Sequence, residues 1–234
     1  MRRNLIVAAA AGVLAIAIAG TGAYVYFFSN LRSSPTTLGL SASPSPAAPS
    51  SGLAGTWNVT SGSLAGYRVQ ELFVGENSKH VAVARTSNVI GGLTVSADAG
   101  GYVVSGVTLT ADLSSLHSVD QVVGRNVTQR DGVVSRQLNV QQFPNATFTA
   151  TSASVTGGVT TSQADVTVAG KLTIHGVTKD VTVSAKAQAV GDKIEIAGTT
   201  AINMADYGLT PPQAPFVTVD SAITIDFDVF LVKS

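Results

Sequence analysis

Three histidines, one pair of aspartates and one Arg-Asp step are the side chains whose types could do chemistry in this chain. His80, His117 and His175 fall on separate segments and show no metal-ligand spacing. The chain has no Cys, so disulfides, thiolate metal sites and cysteine nucleophiles are excluded. Asp226 and Asp228 share one face of a strand pattern, where a carboxylate pair could run acid–base chemistry. Their alternation with Ile225 and Phe227 instead predicts the solvated side. Arg130-Asp131 could touch a ligand head group, but it more simply pins a helix to its neighbours by hydrogen bonds. His175 precedes Gly176 at a tight turn, and a general base would need a partner within reach. Packing of the turn is the simpler role. Gly62-Ser63 and Gly132-Val133-Val134-Ser135 do not form a nucleophile elbow, and no zinc-protease helix, phosphate loop or dinucleotide fingerprint appears. No catalytic residue, metal ligand or cofactor is assigned.

The chain has 234 residues and 14 basic against 14 acidic side chains. All the acids lie after Gly55, whereas Arg2, Arg3 and Arg32 lie before it, leaving 11 basic groups in the later part. No basic stripe survives there, so nucleic-acid binding lacks an electrostatic basis.

Leu5 to Phe28 is uncharged and apolar or small throughout. As a helix of 24 residues it would measure about 36 Å, enough to cross a hydrocarbon core of about 30 Å with some tilt. Arg2 and Arg3 precede it, so the positive-inside tendency keeps residues 1–4 cytoplasmic and the remainder outside. Tyr24, Tyr26, Phe27 and Phe28 gather at the far end, where aromatic rings favour the interface. A cleaved signal peptide is the alternative, with Ala17-Ile18-Ala19 as the processing site. The apolar run continues past that site, which favours an uncleaved single-pass anchor in the cytoplasmic membrane. Residues 29–54 follow as a linker. Pro35, Pro44, Pro46 and Pro49 among Ser, Thr and Ala predict a disordered, extended tether that lets the domain stand off the membrane.

Residues 55–234 must then hold the folded domain. Val and Thr dominate it, and period-2 alternation recurs. Tyr67, Val69, Glu71 and Phe73 alternate with Arg68, Gln70 and Leu72. Val103, Ser105, Val107, Leu109 and Ala111 share a face, as do Val166, Val168, Gly170, Leu172 and Ile174. Ile223, Ile225, Phe227, Val229 and Leu231 form the clearest such face. Turn signals stand at Gly91-Gly92, Gly100-Gly101, Gly157-Gly158, Gly176 and Gly191-Asp192. The pattern predicts an all-β fold of about eight strands, either a closed antiparallel barrel or a sandwich. Leu113 to Leu138 breaks the alternation and is compatible with a helix. Inward faces mix aliphatic with small residues, which leaves room for a ligand or marks a compact waist.

Several segments resemble the YceI-like family of bacterial lipocalin-like barrels. They are Thr56-Trp57-Asn58-Val59 with Gly66-Tyr67-Arg68-Val69, Val83-Ala84-Arg85-Thr86 with Val89-Ile90-Gly91-Gly92, Arg130-Asp131, and Phe143-Pro144-Asn145-Ala146-Thr147-Phe148. The stretch Gly170-Lys171-Leu172-Thr173-Ile174-His175-Gly176-Val177-Thr178 and Tyr207-Gly208-Leu209 complete the resemblance, which covers most of residues 55–233. Asn58 and Thr60 stand where the family commonly has Asp and His. The resemblance implies a closed lipocalin-like barrel with one short helix and an apolar tunnel for a polyisoprenoid or similar long-chain amphiphile. Tyr67, Val69, Phe73, Phe148, Leu172, Val183, Ile196, Ile225 and Phe227 are the residues expected to line it. The chain then reads as an anchored, non-catalytic extracytoplasmic binding protein for a polyisoprenoid, quinone-like or fatty-acyl lipid. A filled barrel serving as a structural or interaction protein of the cell envelope is the alternative. An enzyme ranks last, for want of a nucleophile–base pair.

Overall fold

Alternating β-branched residues can bury one face and wet the other, and here they do so around a closed ring. A computed structural model describes residues 16–21, 32–41, 52–98, 101–122, 124–156 and 163–234. Ten principal strands follow in chain order: β1 (Gly55–Val59), β2 (Leu64–Phe73), β3 (His80–Thr86), β4 (Val89–Asp98) and β5 (Gly101–Asp112). Then come β6 (Asn145–Thr156), β7 (Ala164–Ile174), β8 (Val177–Val190), β9 (Lys193–Asn203) and β10 (Val217–Lys233). Among the described residues one α-helix, α1 (Gln129–Gln137), and two short 3-10 helices interrupt them.

Eight strands close the ring in the order β10-β9-β8-β7-β6-β5-β4-β1 and back to β10, each pair antiparallel. Closure removes the free edges that an open sheet would expose. The 17-residue β10 makes this possible. Its one edge pairs with β9, while its other edge carries β1 near the C-terminus and β2 further back. At the β2–β3 end the wall therefore flares outward from the ring. Leu113–Leu138 fills the flare. It is not one helix, as its sequence allowed, but a turn of 3-10 helix at Leu113–Ser115, two short strands and then α1. The cause lies on β3, whose free edge pairs with His117–Ser118 and whose Val83 N–H donates to the Asp120 carboxylate at 3.0 Å. These contacts hold the chain extended before α1 can begin. Asn139, with φ of 47°, ends the helix in the left-handed conformation.

Two other expectations are corrected. Gly91-Gly92 is not a turn but lies within β4, where a Cβ on Gly92 would collide with the Trp57 carbonyl of β1. Val103 does not share the inward face of Val107, for it is 44% exposed. The β4–β5 register shifts between Gly92 and Thr94, and Gly106 opposite takes a φ of 60°, so the strand turns over by one residue. Val104 points inward in its place. The β7–β8 turn at His175-Gly176 has positive φ at both residues, as a two-residue hairpin demands. Of the remaining turn signals, Gly100 and Gly157-Gly158 lie outside the described residues.

Of the expected anchor, Leu5–Phe28, only residues 16–21 are described, as helix. Among the described residues no helix is long and apolar enough to cross a membrane. Of the expected free tether, residues 32–41 are extended but not free. They lie hydrogen-bonded across the outside of the barrel.

Candidate functional site, an apolar cavity with a charged end

Inward side chains converge from eight strands, but they do not meet. They enclose a cavity of about 370 Å³ lined by Val and Ile with Ala and Phe, inside the roughly 300–1,000 Å³ range of small-molecule pockets. Phe148, Leu172, Val183, Ile196, Ile225 and Phe227 all line it. A second chamber of about 140 Å³ lies toward α1, and Ala65, Ala111, Ala146, Leu172 and Ile225 line both. Tyr67 and Val69 line this second chamber. Eight of the nine residues expected from sequence therefore face one of the two spaces. Phe73 does not. The wall has flared at the end of β2, and its ring packs beside His80 with the Arg125 guanidinium 4.0 Å from its centre.

The smaller chamber ends in charge. Arg130 of α1 reaches between two carboxylates, its Nη1 and Nη2 2.7 Å and 3.1 Å from the Asp120 oxygens and its Nε 3.0 Å from Glu71. Glu71 and Arg130 both line the chamber. His80 Nε2 sits 2.7 Å from the Asp120 oxygen that also accepts from Arg130 Nη2. The ring and both carboxylates are buried. Burial alone would raise the Asp120 pKa, but hydrogen bonds from His80, Arg130 and the Val83 N–H outweigh it and hold the carboxylate well below its usual range. Glu71 goes the other way. Burial lifts its pKa more than the neighbouring Arg130 lowers it. Burial also raises the Tyr67 phenol, so it remains a neutral hydroxyl at this end. Asp131, next to Arg130, accepts from the Ser118 N–H and hydroxyl at 2.9 Å and 2.6 Å. The Arg-Asp step thus pins α1 to the wall, as its sequence implied, and Arg130 additionally lines the space beneath.

Sequence reasoning did not assemble Glu71, His80 and Asp120. Glu71 stands at an inward position of the Tyr67-Val69-Glu71-Phe73 alternation, and a carboxylate there was the available signal. His80 and Asp120 lie 40 residues apart and meet only through the pairing of β3. His175 is a turn residue, its ring edge-on to Phe143 at 5.1 Å and its Nδ1 3.3 Å from the Tyr207 carbonyl. His117 is exposed. Among the described residues no group of His, Asp and Glu has the arrangement of a metal site.

Asp226 and Asp228 do face outward, since Ile225, Phe227 and Val229 line the cavity. They are not on a solvated face, however. Asp226 is fully buried, because Leu38 lies over it and donates its N–H to the carboxylate at 3.0 Å.

A closed antiparallel barrel enclosing an apolar space with one charged end defines a lipocalin-like fold. The profile of the YceI-like domain matches residues 60–231, and the chain belongs to that family. It is 39% identical over 95 residues to a UPF0312 protein of Pseudomonas putida, covering 38% of this chain and 47% of that protein. A UPF0312 protein of Pseudomonas syringae pv. tomato is 34% identical over 109 residues, covering 43% and 54%. The chain thus spans about half the length of the curated relatives it matches. A polyisoprenoid binding domain from Saccharophagus degradans superposes with a TM-score of 0.54 at 17% identity, covering 76% of this chain and 98% of that one, which establishes the shared fold.

Proposed function

We propose that this protein holds one long apolar molecule inside its barrel, as a membrane-anchored binding protein that sequesters or carries a polyisoprenoid, quinone-like or fatty-acyl lipid on the extracytoplasmic side. The observation that carries this reading is the cavity of about 370 Å³, which shares five lining residues with an adjoining chamber that ends at Arg130 and Glu71. Ten methylenes buried there at about 0.8 kcal/mol each would yield roughly 8 kcal/mol, the micromolar range before ordering costs. The binding named for the Saccharophagus domain supports the same ligand class. The anchor rests on Leu5–Phe28 with Arg2 and Arg3 ahead of it, and the charge rule then places the barrel outside.

The test is native mass spectrometry of the full-length chain released gently from membranes. A bound mass in the range of a prenyl or acyl lipid, removed by denaturation, is the expected result. A clean apo mass from lipid-rich membranes would overturn the reading and leave the envelope scaffold, against which the open interior already weighs.

A further inference from the structure

The outer wall of the barrel carries a polar track that no ligand inside could use. On β10, β9 and β8 it presents Asp226, Glu195 and Gln188, and on β2 and β3 it presents Arg68 and Arg85. Asp226 and Glu195 are fully buried although they point away from the interior. Their cover is residues 33–41, an uncharged Ser-Ser-Pro-Thr-Thr-Leu-Gly-Leu-Ser stretch.

Nearly every contact is to the main chain of that stretch. Arg68 Nη1 donates to the Pro35 carbonyl at 2.6 Å and Arg85 Nη2 to the Thr36 carbonyl at 2.6 Å. The Leu38 N–H donates to Asp226 at 3.0 Å, and the Ser41 N–H donates to Glu195 at 2.7 Å. Gln188 Nε2 closes the track on the Ser41 carbonyl at 3.1 Å. Two hydroxyls add to this, Ser34 on the Val81 carbonyl and Ser41 on Glu195. Where the stretch begins, Arg32 and Ser33 pair antiparallel with Val122 and Gln121.

Donors on the wall thus meet carbonyls, and carboxylates meet N–H groups, in the sequence an extended chain offers them. Hydrogen bonds of an ionised carboxylate to backbone N–H groups are the stronger kind. We propose that this track is a receptor for an extended peptide segment, that residues 33–41 of the same chain are its resident occupant, and that the docked segment straps the tether to the barrel. Ordering nine residues costs conformational entropy comparable with what these bonds return, so the strap is held near balance and is releasable. Where the preceding apolar segment is embedded, as proposed above, only residues 29–32 separate it from the strap. The strap begins at the α1 end, against Val122, so docking would hold the charged end of the cavity nearest the bilayer. This last consequence rests on the anchor; the strap itself does not.

Hydrogen-exchange mass spectrometry on the full-length, lipid-stripped chain in detergent micelles tests it. The Leu38 and Ser41 amides are expected to exchange at least tenfold more slowly than in a free peptide of residues 33–41. Substituting Glu195→Ala together with Asp226→Ala should abolish that slowing while β7 peptides keep theirs. Exchange at the free-peptide rate in the unaltered chain would overturn the proposal. So would protection that disappears on dilution along with a dimer mass, since the occupant would then come from a second copy. Neither outcome depends on whether lipid co-purifies.

Discussion

Arg130 meets Asp120 through two parallel hydrogen bonds of 2.7 Å and 3.1 Å, and this pair fastens α1 to the free edge of β3. The same guanidinium also holds Glu71, so its removal strands that buried carboxylate and leaves Asp120 with only His80 and the Val83 N–H. Breaking a buried pair from one side costs about 3–5 kcal/mol. Arg130→Met should therefore lower stability by that order in urea titration. Arg130→Lys keeps the charge but loses the fork, and should fall between. Equal stability of all three proteins would show that α1 is held by other contacts.

The carboxylates of the molecule pull its pH dependence in opposite directions. Burial, with Glu195 nearby, raises the Asp228 pKa to about 6. A value above that of the unfolded chain means that this group favours the fold when protonated, an advantage lost as pH rises through about 6. Glu71, also raised, acts in the same direction. Asp120 is depressed, so its contribution is present above its ordinary value and disappears as pH falls. Melting temperature should therefore rise on acidification from about pH 7.5 to about pH 5 and decline again below about pH 4. Asp228 is only half-buried, so its share after solvent discounting is about 1 kcal/mol. Asp228→Asn should flatten the rise in part and leave the acid decline intact. A profile unchanged by this substitution would mean that Asp228 titrates as it does in water.

His175 illustrates a role that conformation alone explains. Its φ of 52° lies where a β-branched residue is strained and glycine is at ease. His175→Val should cost about 1–3 kcal/mol, whereas His175→Gly should stay within about 1 kcal/mol of the parent. Lipid loading by native mass spectrometry should be unaffected in the glycine variant. Loss of loading there would give the imidazole a part in binding that its contacts with Phe143 and Tyr207 do not supply.

What could be read from the sequence followed from periodicity. Ile223 to Leu231 alternate without a break in β10, and the residues so marked do line the cavity or, for Ile223, the chamber beside it. Val103 was misplaced because a bulge at Gly106 shifts the face by one residue, and periodicity cannot count an unpaired residue. The charged cluster was hidden for another reason. His80, Asp120 and Arg130 belong to three segments that only strand pairing brings together. The strap was hidden most thoroughly. Its composition is that of a linker, and it is held chiefly through its backbone, which every sequence possesses.

The last prediction separates a binding cavity from a merely loose core. Val183 and Ser184 are neighbours on β8, one facing the cavity and buried, the other exposed on the outer wall. Val183→Trp would place an indole in the space proposed for the lipid. Overpacking at the wall would cost about 1–3 kcal/mol, offset in part by apolar area the ring buries in the void. Ser184→Trp puts the same ring outside and serves as the control. Lipid loading should fall at least tenfold in the first variant and remain unchanged in the second, with both still cooperatively folded by thermal melt. A Val183→Trp protein that folds and loads as well as its control would place the apolar ligand elsewhere, because no long chain could share that part of the interior with an indole.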